Sequence, residues 1–386
     1  MGNLRWVLIG VAVIGITVAG FSLLDFQGGG VAGATVELLP ISAETDGFAR
    51  AIAPYAWEFP RDHGAHPAFQ TEWWYYTGNL AADDGARFGF QFTIFRRALS
   101  PQTPGSGSEW RSNQAYMAHF TLTDVSGGQF YQAQRFSRGG AGLAGAEVTP
   151  LFRVWLDDWA VQAEDAAATV ARIRAASDGV AIDLQLAQIK PPALQGEEGL
   201  SPKSAEPGNA SYYYSLSRLV TEGTITVNGQ VYTVSGTTWM DHEFSTSALG
   251  PDAQGWDWFG LHLDDDRELM LGRIRLVGGG YEPVFGGLLV LPDGSTRRLS
   301  AEDFTLEVLD TWTSPHTGAT YPARWRFTVL PRTSEAFTFT LTPLLADQEL
   351  HEGIAYWEGA VQIAGDVTGY GYAELTGYAG TMNGRF

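Results

Sequence analysis

The chain has 386 residues, which is long enough for two domains of ordinary size, and 45% hydrophobic with 17% charged residues is a globular composition. Its formal charge of −19 argues against nucleic acid or an anionic membrane surface as the main partner, because both would repel it. Cysteine is absent, which excludes disulfides, thiolate metal sites and cysteine nucleophiles.

The N-terminus has the pattern of an export signal. Arg5 precedes the uncharged apolar run Trp6–Leu24, and the next charge, Asp25, is acidic. This order is typical of a secretory signal peptide or an uncleaved signal-anchor helix. We therefore expect a signal or anchor over residues 1–26 and a Gly/Ala-rich linker over 27–53. The protein would then lie in the periplasm or on the outer face of the cytoplasmic membrane.

Short runs of alternating apolar and polar residues follow the linker, and this period of two predicts half-buried antiparallel strands. The clearest runs are Arg87–Arg97, Ala115–Val125, Val180–Ala187, Thr224–Val234 and Trp325–Leu330. The aromatic content of 13% and the 47 glycines also favour a β-rich protein with many tight turns. The sequence therefore predicts an all-β fold.

Turn and loop signals separate these strands. Asn228-Gly229 is the dipeptide that a type I′ hairpin prefers, and Asp293-Gly294 predicts a similar turn. Asp165–Ala176 is the best helix candidate, although its second half fits a strand equally well. Ser100–Ser108 and Pro191–Ala210 are predicted loops, and the second is long enough to act as a lid.

A weak internal repeat indicates duplication. Glu72–Leu80 is a Trp-rich strand followed by an acidic turn and a strand that carries arginines, and Trp256–Leu263 opens the same sequence of features again. Many short antiparallel strands usually form a sandwich or a barrel. We therefore predict two barrel-like domains, at residues 54–248 and 249–386.

Polar residues among bulky aromatics mark a candidate site, because an unpartnered buried polar group is costly. Asp241, His242 and Glu243 are the catalytic candidates. In a regular strand Trp239 points to the same side as the two acids, and His242 points to the other. We expect one of Asp241 and His242 in a pocket and the other in its supporting shell. The alternative is a polar staple between the two domains.

Five segments carry a resemblance to a known family. They are His66–Leu80, Asn209–Leu219, Thr237–Phe244, Gly255–Leu263 and Tyr356–Tyr378. In these segments the chain resembles the AttH / carotenoid 1,2-hydratase-like family of exported bacterial proteins, often labelled predicted secreted hydrolases. The resemblance implies a fold of two lipocalin-like antiparallel β-barrels.

The second Trp-rich strand supplies further candidates for substrate binding. Trp256 and Trp258 share a face with His262, whereas Asp257 points the other way. If the Trp face looks inward, it would line an apolar pocket that suits an isoprenoid or acyl chain and could stabilise a carbocation. The alternative is structural, since lipocalin-like barrels commonly stack a first-strand Trp on a late arginine such as Arg275.

The remaining candidates for the substrate-binding surface are Glu72, Trp74, His119, Tyr213 and Glu374. Burial beside two tryptophans would raise the pKa of Glu72 unless Arg96 or Arg97 pairs with it. A lone histidine is more often a satisfied core residue than a site residue, but the segment around His119 matches a motif of the family that the chain resembles, and both interpretations stay open. Glu374 is interpreted mainly as part of the structure of the second barrel, and it is a lesser candidate for the site.

Other chemistries are not predicted. The histidines and carboxylates lack zinc spacing, and Asp264–Asp266 lacks the spaced oxygens of a calcium loop. A Gly-x-Ser-x-Gly nucleophile elbow is also absent, which weakens the hydrolase label. The sequence therefore predicts neither a metal nor a cofactor.

Three functions remain open. The resemblance implies a hydratase in which Asp241 protonates a C=C bond, His242 orients the acid or the water, and Trp256 and Trp258 line the path of the cation. A second hypothesis is a non-catalytic lipophile carrier that serves an ABC-type exporter in the membrane. A third is hydrolysis by Asp241 and His242. In each case the partner is a hydrophobic small molecule, an isoprenoid or a lipid, and not a nucleic acid.

Overall fold

The computed structural model describes residues 45–102, 105, 107–246, 249–330 and 332–382. The predicted signal or anchor over 1–26 and the linker up to residue 44 lie outside these residues. Within the described ranges the regular secondary structure is β-strand, apart from one turn of 3₁₀ helix at Arg61–His63. No helix in them is long and apolar enough to cross a membrane.

The first half of the chain builds one antiparallel sheet of thirteen strands. They are β1 (Thr71–Ala82), β2 (Arg87–Ala98), β3 (Gln114–Asp124), β4 (Gln129–Arg138), β5 (Ala144–Glu147), β6 (Arg153–Leu156), β7 (Trp159–Ala163), β8 (Val170–Ser177), β9 (Val180–Gln188), β10 (Ala193–Leu194), β11 (Leu200–Pro202), β12 (Ala210–Val227) and β13 (Gln230–Ser245). The strand order is β4-β3-β2-β1-β13-β12-β9-β8-β7-β6-β5, and β10 and β11 also pair with β12.

The second half builds a sheet of ten strands. They are β14 (Ala253–Leu263), β15 (Glu268–Leu276), β16 (Gly287–Val290), β17 (Thr296–Leu299), β18 (Phe304–Thr313), β19 (Thr320–Val329), β20 (Phe337–Pro343), β21 (Glu349–Leu350), β22 (Tyr356–Gly365) and β23 (Gly369–Leu375). The order is β17-β16-β15-β14-β23-β22-β20-β19-β18, and β21 pairs with β22. The prediction of an all-β fold with two lipocalin-like barrels is confirmed.

The structure confirms one predicted turn and corrects two predicted segments. Asn228 and Gly229 both have positive φ, 49° and 84°, as a type I′ turn between β12 and β13 requires. The helix candidate at Asp165–Ala176 does not form a helix. Its second part belongs to β8, Val170–Ser177, which pairs antiparallel with β9. The predicted loop Pro191–Ala210 contains β10 and β11, whose backbone groups pair with β12, so this segment is part of the sheet.

Alternation along the strands divides the buried side chains among three layers. One face of each sheet packs inside its own barrel, around residues such as Phe92 in the first and Phe327 in the second. The opposite faces of β1, β13, β14 and β23 meet in a third apolar cluster that contains Tyr75, Trp239 and Trp258. The two barrels therefore pack against each other through faces that an isolated barrel would expose to solvent.

A buried charge network joins the barrels at one end of this contact. Lys190 of the first barrel donates to both carboxylate oxygens of Glu268 of the second, at 2.9 and 2.8 Å. Arg218 also donates to Glu268, and its guanidinium reaches the carbonyl of Leu263. Because Glu268 is fully buried, two cations are needed to hold its charge in the interface.

Candidate functional site

A cavity of about 80 Å³ lies between the two barrels, in the layer where their outer faces meet. Its walls are mainly aromatic, and three acidic side chains and one lysine reach it: Asp241, Glu243, Glu374 and Lys203. The other lining residues are Trp73, Tyr75, Thr93, Phe95, Tyr213, Leu249, Trp256, Trp258, Ile274, Phe285 and Tyr356. An apolar cavity with a few convergent polar groups is the usual form of a small-molecule site.

Strand alternation brings Asp241 into this cavity. Its carboxyl group accepts hydrogen bonds from Tyr213 Oη at 2.6 Å, Ser215 Oγ at 2.5 Å and Trp239 Nε1 at 2.7 Å. Burial raises the pKa of Asp241 to about 7, against the three hydrogen bonds, which favour the charged form. Asp241 is thus held rigidly and changes its charge near neutral pH.

Glu243, two residues further along the same face, forms an ion pair with Lys203, whose Nζ lies 2.7 Å from Glu243 Oε1. Lys203 follows β11 and is almost fully buried, above the rings of Tyr213 and Phe285. It is the one cationic side chain among the described residues that line the cavity. A buried lysine of this kind offsets one carboxylate charge and leaves the other acids uncompensated.

The second barrel supplies two more carboxyl groups. Burial raises the pKa of Glu374 to about 8, the charges of Asp241 and Glu243 add to the shift, and a hydrogen bond with Trp256 opposes it. Burial and the neighbouring Glu374 raise the pKa of Glu358 well above its usual value. Glu374 lines the cavity and is therefore a protonated carboxylic acid in an aromatic site at neutral pH.

The tryptophans of β14 form one wall of the cavity. Trp258 donates from Nε1 to the Tyr213 hydroxyl at 3.2 Å and lies edge-on to Trp239. Gly260 makes room for this indole, since a Cβ there would lie 2.3 Å from the Trp258 ring. The Trp256–Trp258 face thus looks into the space between the barrels and not onto the barrel floor. Arg275 contacts Asp257 and Tyr378 instead.

Tyrosine hydroxyls complete the polar part of the wall. Tyr75 of β1 donates to Glu358 Oε1 at 2.7 Å, across the interface between the barrels. Tyr356 of β22 is joined to His119 Nδ1 of β3 at 2.7 Å, again across the interface. Tyr356 lines the cavity, whereas His119 lies behind it. His119 therefore supports a lining residue and does not touch the cavity itself.

Glu72 and His242 point away from the cavity, to the opposite face of their strands. Glu72 is fully buried and accepts hydrogen bonds from Arg96 Nε at 2.7 Å and His66 Nδ1 at 2.8 Å. His242 Nε2 lies 2.9 Å from the same carboxylate. Burial alone would raise the pKa of Glu72, but the Arg96 charge and the two histidines hold it well below its usual value.

Three further candidates also lie outside the cavity. Trp74 donates to the carbonyl of His63 at 2.8 Å and stacks on His242 inside the first barrel. Asp257 points into the second barrel, where Arg275 and the Tyr378 hydroxyl contact it. His262 is at the far end of the interface, 2.7 Å from the carbonyl of Ser217. Each is satisfied by neighbouring protein groups.

His66, Glu72 and His242 are the one group of described residues whose ligand atoms lie close enough to hold a metal ion, within 4.8 Å of one another. The same atoms are already joined by hydrogen bonds, and the Arg96 guanidinium pairs with the second Glu72 oxygen. Burial lowers the pKa of His66, but hydrogen bonds to Asp62 and Glu72 outweigh it and raise the value. The geometry fits a proton-sharing ion-pair network better than a cation site.

Of the residues predicted from the sequence, the structure places Asp241, Glu243, Tyr213, Glu374, Trp256 and Trp258 in the cavity lining. Trp239 contacts the lining residues Asp241 and Trp258. Lys203, Tyr75 and Tyr356 also line the cavity and were not among the predicted residues, apart from the position of Tyr356 in a family segment. Lys203 lies in a segment that reads as a loop, and the two tyrosines acquire their roles from partners in the other barrel. The alternation of β1 and the YWEG start of β22 were the signals available for the two tyrosines.

Comparisons with known proteins agree with this architecture. The crystal structure of AttH from Nitrosomonas europaea matches with a TM-score of 0.76 and 36% identity, over 86% of this chain and 100% of that one. Kievitone hydratase from Nectria haematococca matches with a TM-score of 0.64 and 16% identity, over 86% and 97% of the two chains. CghA matches with a TM-score of 0.50 and 14% identity, over the same shares.

At 16% and 14% identity, kievitone hydratase and CghA show that the fold is shared and show nothing about the activity of this chain. No curated protein sequence matches the chain. The model of the AttH-like family matches residues 50–378, which include every strand described above and all the lining residues of the cavity. The chain belongs to the AttH-like family.

Proposed function

We propose that the protein is a hydratase that adds water to a C=C bond of an apolar small molecule in the cavity between the barrels. The observation that carries the proposal is the placement of Glu374 and Asp241 in an aromatic cavity, with their pKa values raised to about 8 and about 7. A carboxylic acid that stays protonated near neutral pH is what protonation of a carbon atom requires.

Glu374 is the better proton donor of the two. Asp241 accepts three hydrogen bonds, all of which stabilise its ionised form, whereas Glu374 is kept protonated by burial and by the charges around it. The role of acid therefore moves from Asp241, the expectation from sequence, to Glu374. Asp241 supplies negative charge beside the cation that protonation would create.

The aromatic walls suit such a cation. Trp256 and Trp258 face the cavity from one side, and Trp73, Tyr75 and Phe95 line it from the first barrel. The negative face of an aromatic ring attracts a cation, and the attraction strengthens where water is excluded. Kievitone hydratase has the same fold, so this architecture can house a hydration reaction.

The alternative is a carrier that holds a lipophile in the same cavity without chemistry. The aromatic lining supports binding equally well, and the proposed export of the protein, which rests on the apolar run Trp6–Leu24, would place such a carrier beside a membrane exporter. Raised carboxyl pKa values favour the hydratase, because a carrier gains nothing from buried acids that weaken its fold.

A direct experiment separates the two. Purified protein is incubated with a lipophilic extract of the source organism, and bound and released molecules are analysed by mass spectrometry. The hydratase predicts a species heavier by one water that wild type makes and Glu374→Gln does not. Glu302→Gln, which changes an exposed carboxyl group, is the matched control. An unmodified lipophile retained equally by all three proteins would leave a carrier.

A further inference from the structure

The hydroxyl of Tyr356 and the imidazole of His119 form a pair that the acid chemistry of Glu374 does not use. Their Oη and Nδ1 atoms are 2.7 Å apart, and both residues are buried. Tyr356 belongs to the second barrel and lines the cavity, whereas His119 belongs to the first barrel and lies behind it. The pair therefore extends from the cavity into the interface between the barrels.

The proton arrangement within the pair follows from burial. Desolvation lowers the pKa of His119 to about 4, against a hydrogen bond with Gln134, so the imidazole is neutral at physiological pH. Burial, with the nearby Glu358 and Glu374, raises the pKa of Tyr356 well above its usual value, so the phenol keeps its proton. An unprotonated nitrogen of a neutral imidazole accepts a hydrogen bond, so the phenol of Tyr356 donates to His119. The lone pairs of the phenol oxygen can still accept a hydrogen bond from a second donor.

The other lining tyrosines are differently placed. Tyr213 already donates to Asp241 and accepts from Trp258, so its oxygen is occupied on both sides. Tyr75 is joined to Glu358, a carboxyl group that burial keeps protonated. Among the described tyrosines of the cavity, Tyr356 is the one joined to a neutral base.

We propose that Tyr356 binds the attacking water of the hydration reaction and passes the proton of that water to His119. This inference rests on the proposed hydratase function. It names the residues that act in the second step of the reaction, the addition of water to the cation. Tyr356 lines the cavity and would contact the water, so it is a second catalytic residue beside Glu374, whereas His119 is a positioning residue that acts through the tyrosine.

The reaction consists of proton transfer to carbon, addition of water and loss of a proton from that water. The π electrons of the C=C bond form a C–H bond with the proton of Glu374 and leave a cation on the neighbouring carbon. The water oxygen forms the C–O bond, and one of its protons moves to Tyr356 Oη as the phenolic proton moves to His119 Nδ1. The glutamate carboxylate and the imidazolium then exchange with solvent, and both groups return to their starting states.

Even a weak base is sufficient in this step. Water that has added to a carbocation is a strong acid, so its proton can pass to an imidazole whose pKa is about 4.

The test follows the fate of the cation in D₂O, with the same lipophilic extract as the probe. Wild type should give a hydrated product with one carbon-bound deuterium. Tyr356→Phe should still exchange deuterium into the recovered alkene, because Glu374 remains, but should hydrate it at least about tenfold more slowly. His119→Gln should shift the ratio of exchange to hydration in the same direction.

Tyr372→Phe is the matched control. It removes the hydroxyl of an equally buried interface tyrosine that does not line the cavity, so exchange and hydration should both stay at the wild-type level. ¹⁵N spectra of histidine-labelled protein without ligand give a second readout. His119 should be a neutral imidazole protonated at Nε2, and its signals should move in Tyr356→Phe and not in Tyr372→Phe.

The outcomes are distinct. Hydration by Tyr356→Phe at the wild-type rate, or a His119 protonated at Nδ1 and unaffected by that substitution, would overturn the relay and leave the hydratase intact. Wild-type protein that neither hydrates nor exchanges any component of the extract would remove the proposed function, and the relay with it.

Discussion

Glu374 provides a test of the site that requires no knowledge of the substrate. Its folded-state pKa of about 8 lies above the value of 4.5 expected in an unfolded chain. The folded state therefore binds the proton more tightly than the unfolded state does. The resulting stability is fully present below pH of about 4.5 and is lost as the pH rises towards 8.

The magnitude follows from the shift. At 1.36 kcal/mol per pKa unit the full effect is nearly 5 kcal/mol, and about 3 to 4 kcal/mol of it falls between pH 5 and pH 8. Glu374→Gln keeps the shape of the side chain and cannot ionise. We therefore expect the variant to gain about 3 kcal/mol in the free energy of unfolding, relative to wild type, over this pH range.

Urea denaturation of both proteins at several pH values between 5 and 8 measures this difference. Because only the difference between wild type and variant is used, the titration of groups distant from Glu374 largely cancels, whereas Asp241 and Glu243, whose charges act on Glu374, contribute to the measured difference. The exposed carboxyl variant Glu302→Gln reports the baseline of the assay. A difference between Glu374→Gln and wild type that stays constant with pH would refute a protonated Glu374.

Three stability predictions concern other parts of the molecule. Arg96→Leu should cost about 3–5 kcal/mol in urea denaturation, because it leaves Glu72 buried without its guanidinium; a loss below about 1 kcal/mol would contradict the ion pair. Lys190→Met should cost less than that, since Arg218 still pairs with Glu268, and an equal or larger loss would show that the lysine dominates. Asn228→Ala should lower Tm, with about 1 kcal/mol lost at the positive φ of the turn; an unchanged Tm would mean that the turn relaxes.

Strand alternation is the part of the site that sequence predicts well. A period of two places Asp241 and Glu243 with Trp239 on one face and His242 on the other, and the structure has this division. The same rule groups Trp256 with Trp258. The sequence also predicted that the pKa of Glu72 would be raised by burial unless Arg96 or Arg97 paired with it. In the structure Arg96 forms this ion pair, and the pKa of Glu72 is held low.

What sequence cannot give is which outward-facing surface meets the other barrel. A half-buried strand has the same pattern whether its second face meets solvent or another sheet, so the cavity between the barrels has no local signal. Tyr356 and His119 are 237 positions apart, and only docking of the two sheets joins them. Lys203 is hidden for a related reason, since its loop-like segment pairs with β12 through backbone groups.

The proposed hydratase depends on the transfer of a proton from Glu374 to carbon in the cavity between the barrels. Mass spectrometry of lipophiles recovered from D₂O after incubation with wild-type protein or Glu374→Gln measures this transfer. We expect one carbon-bound deuterium per hydrated molecule with wild type and none with the variant. Carbon-bound deuterium at equal levels with both proteins would assign the proton transfer to another group, and its absence from both would contradict the hydratase.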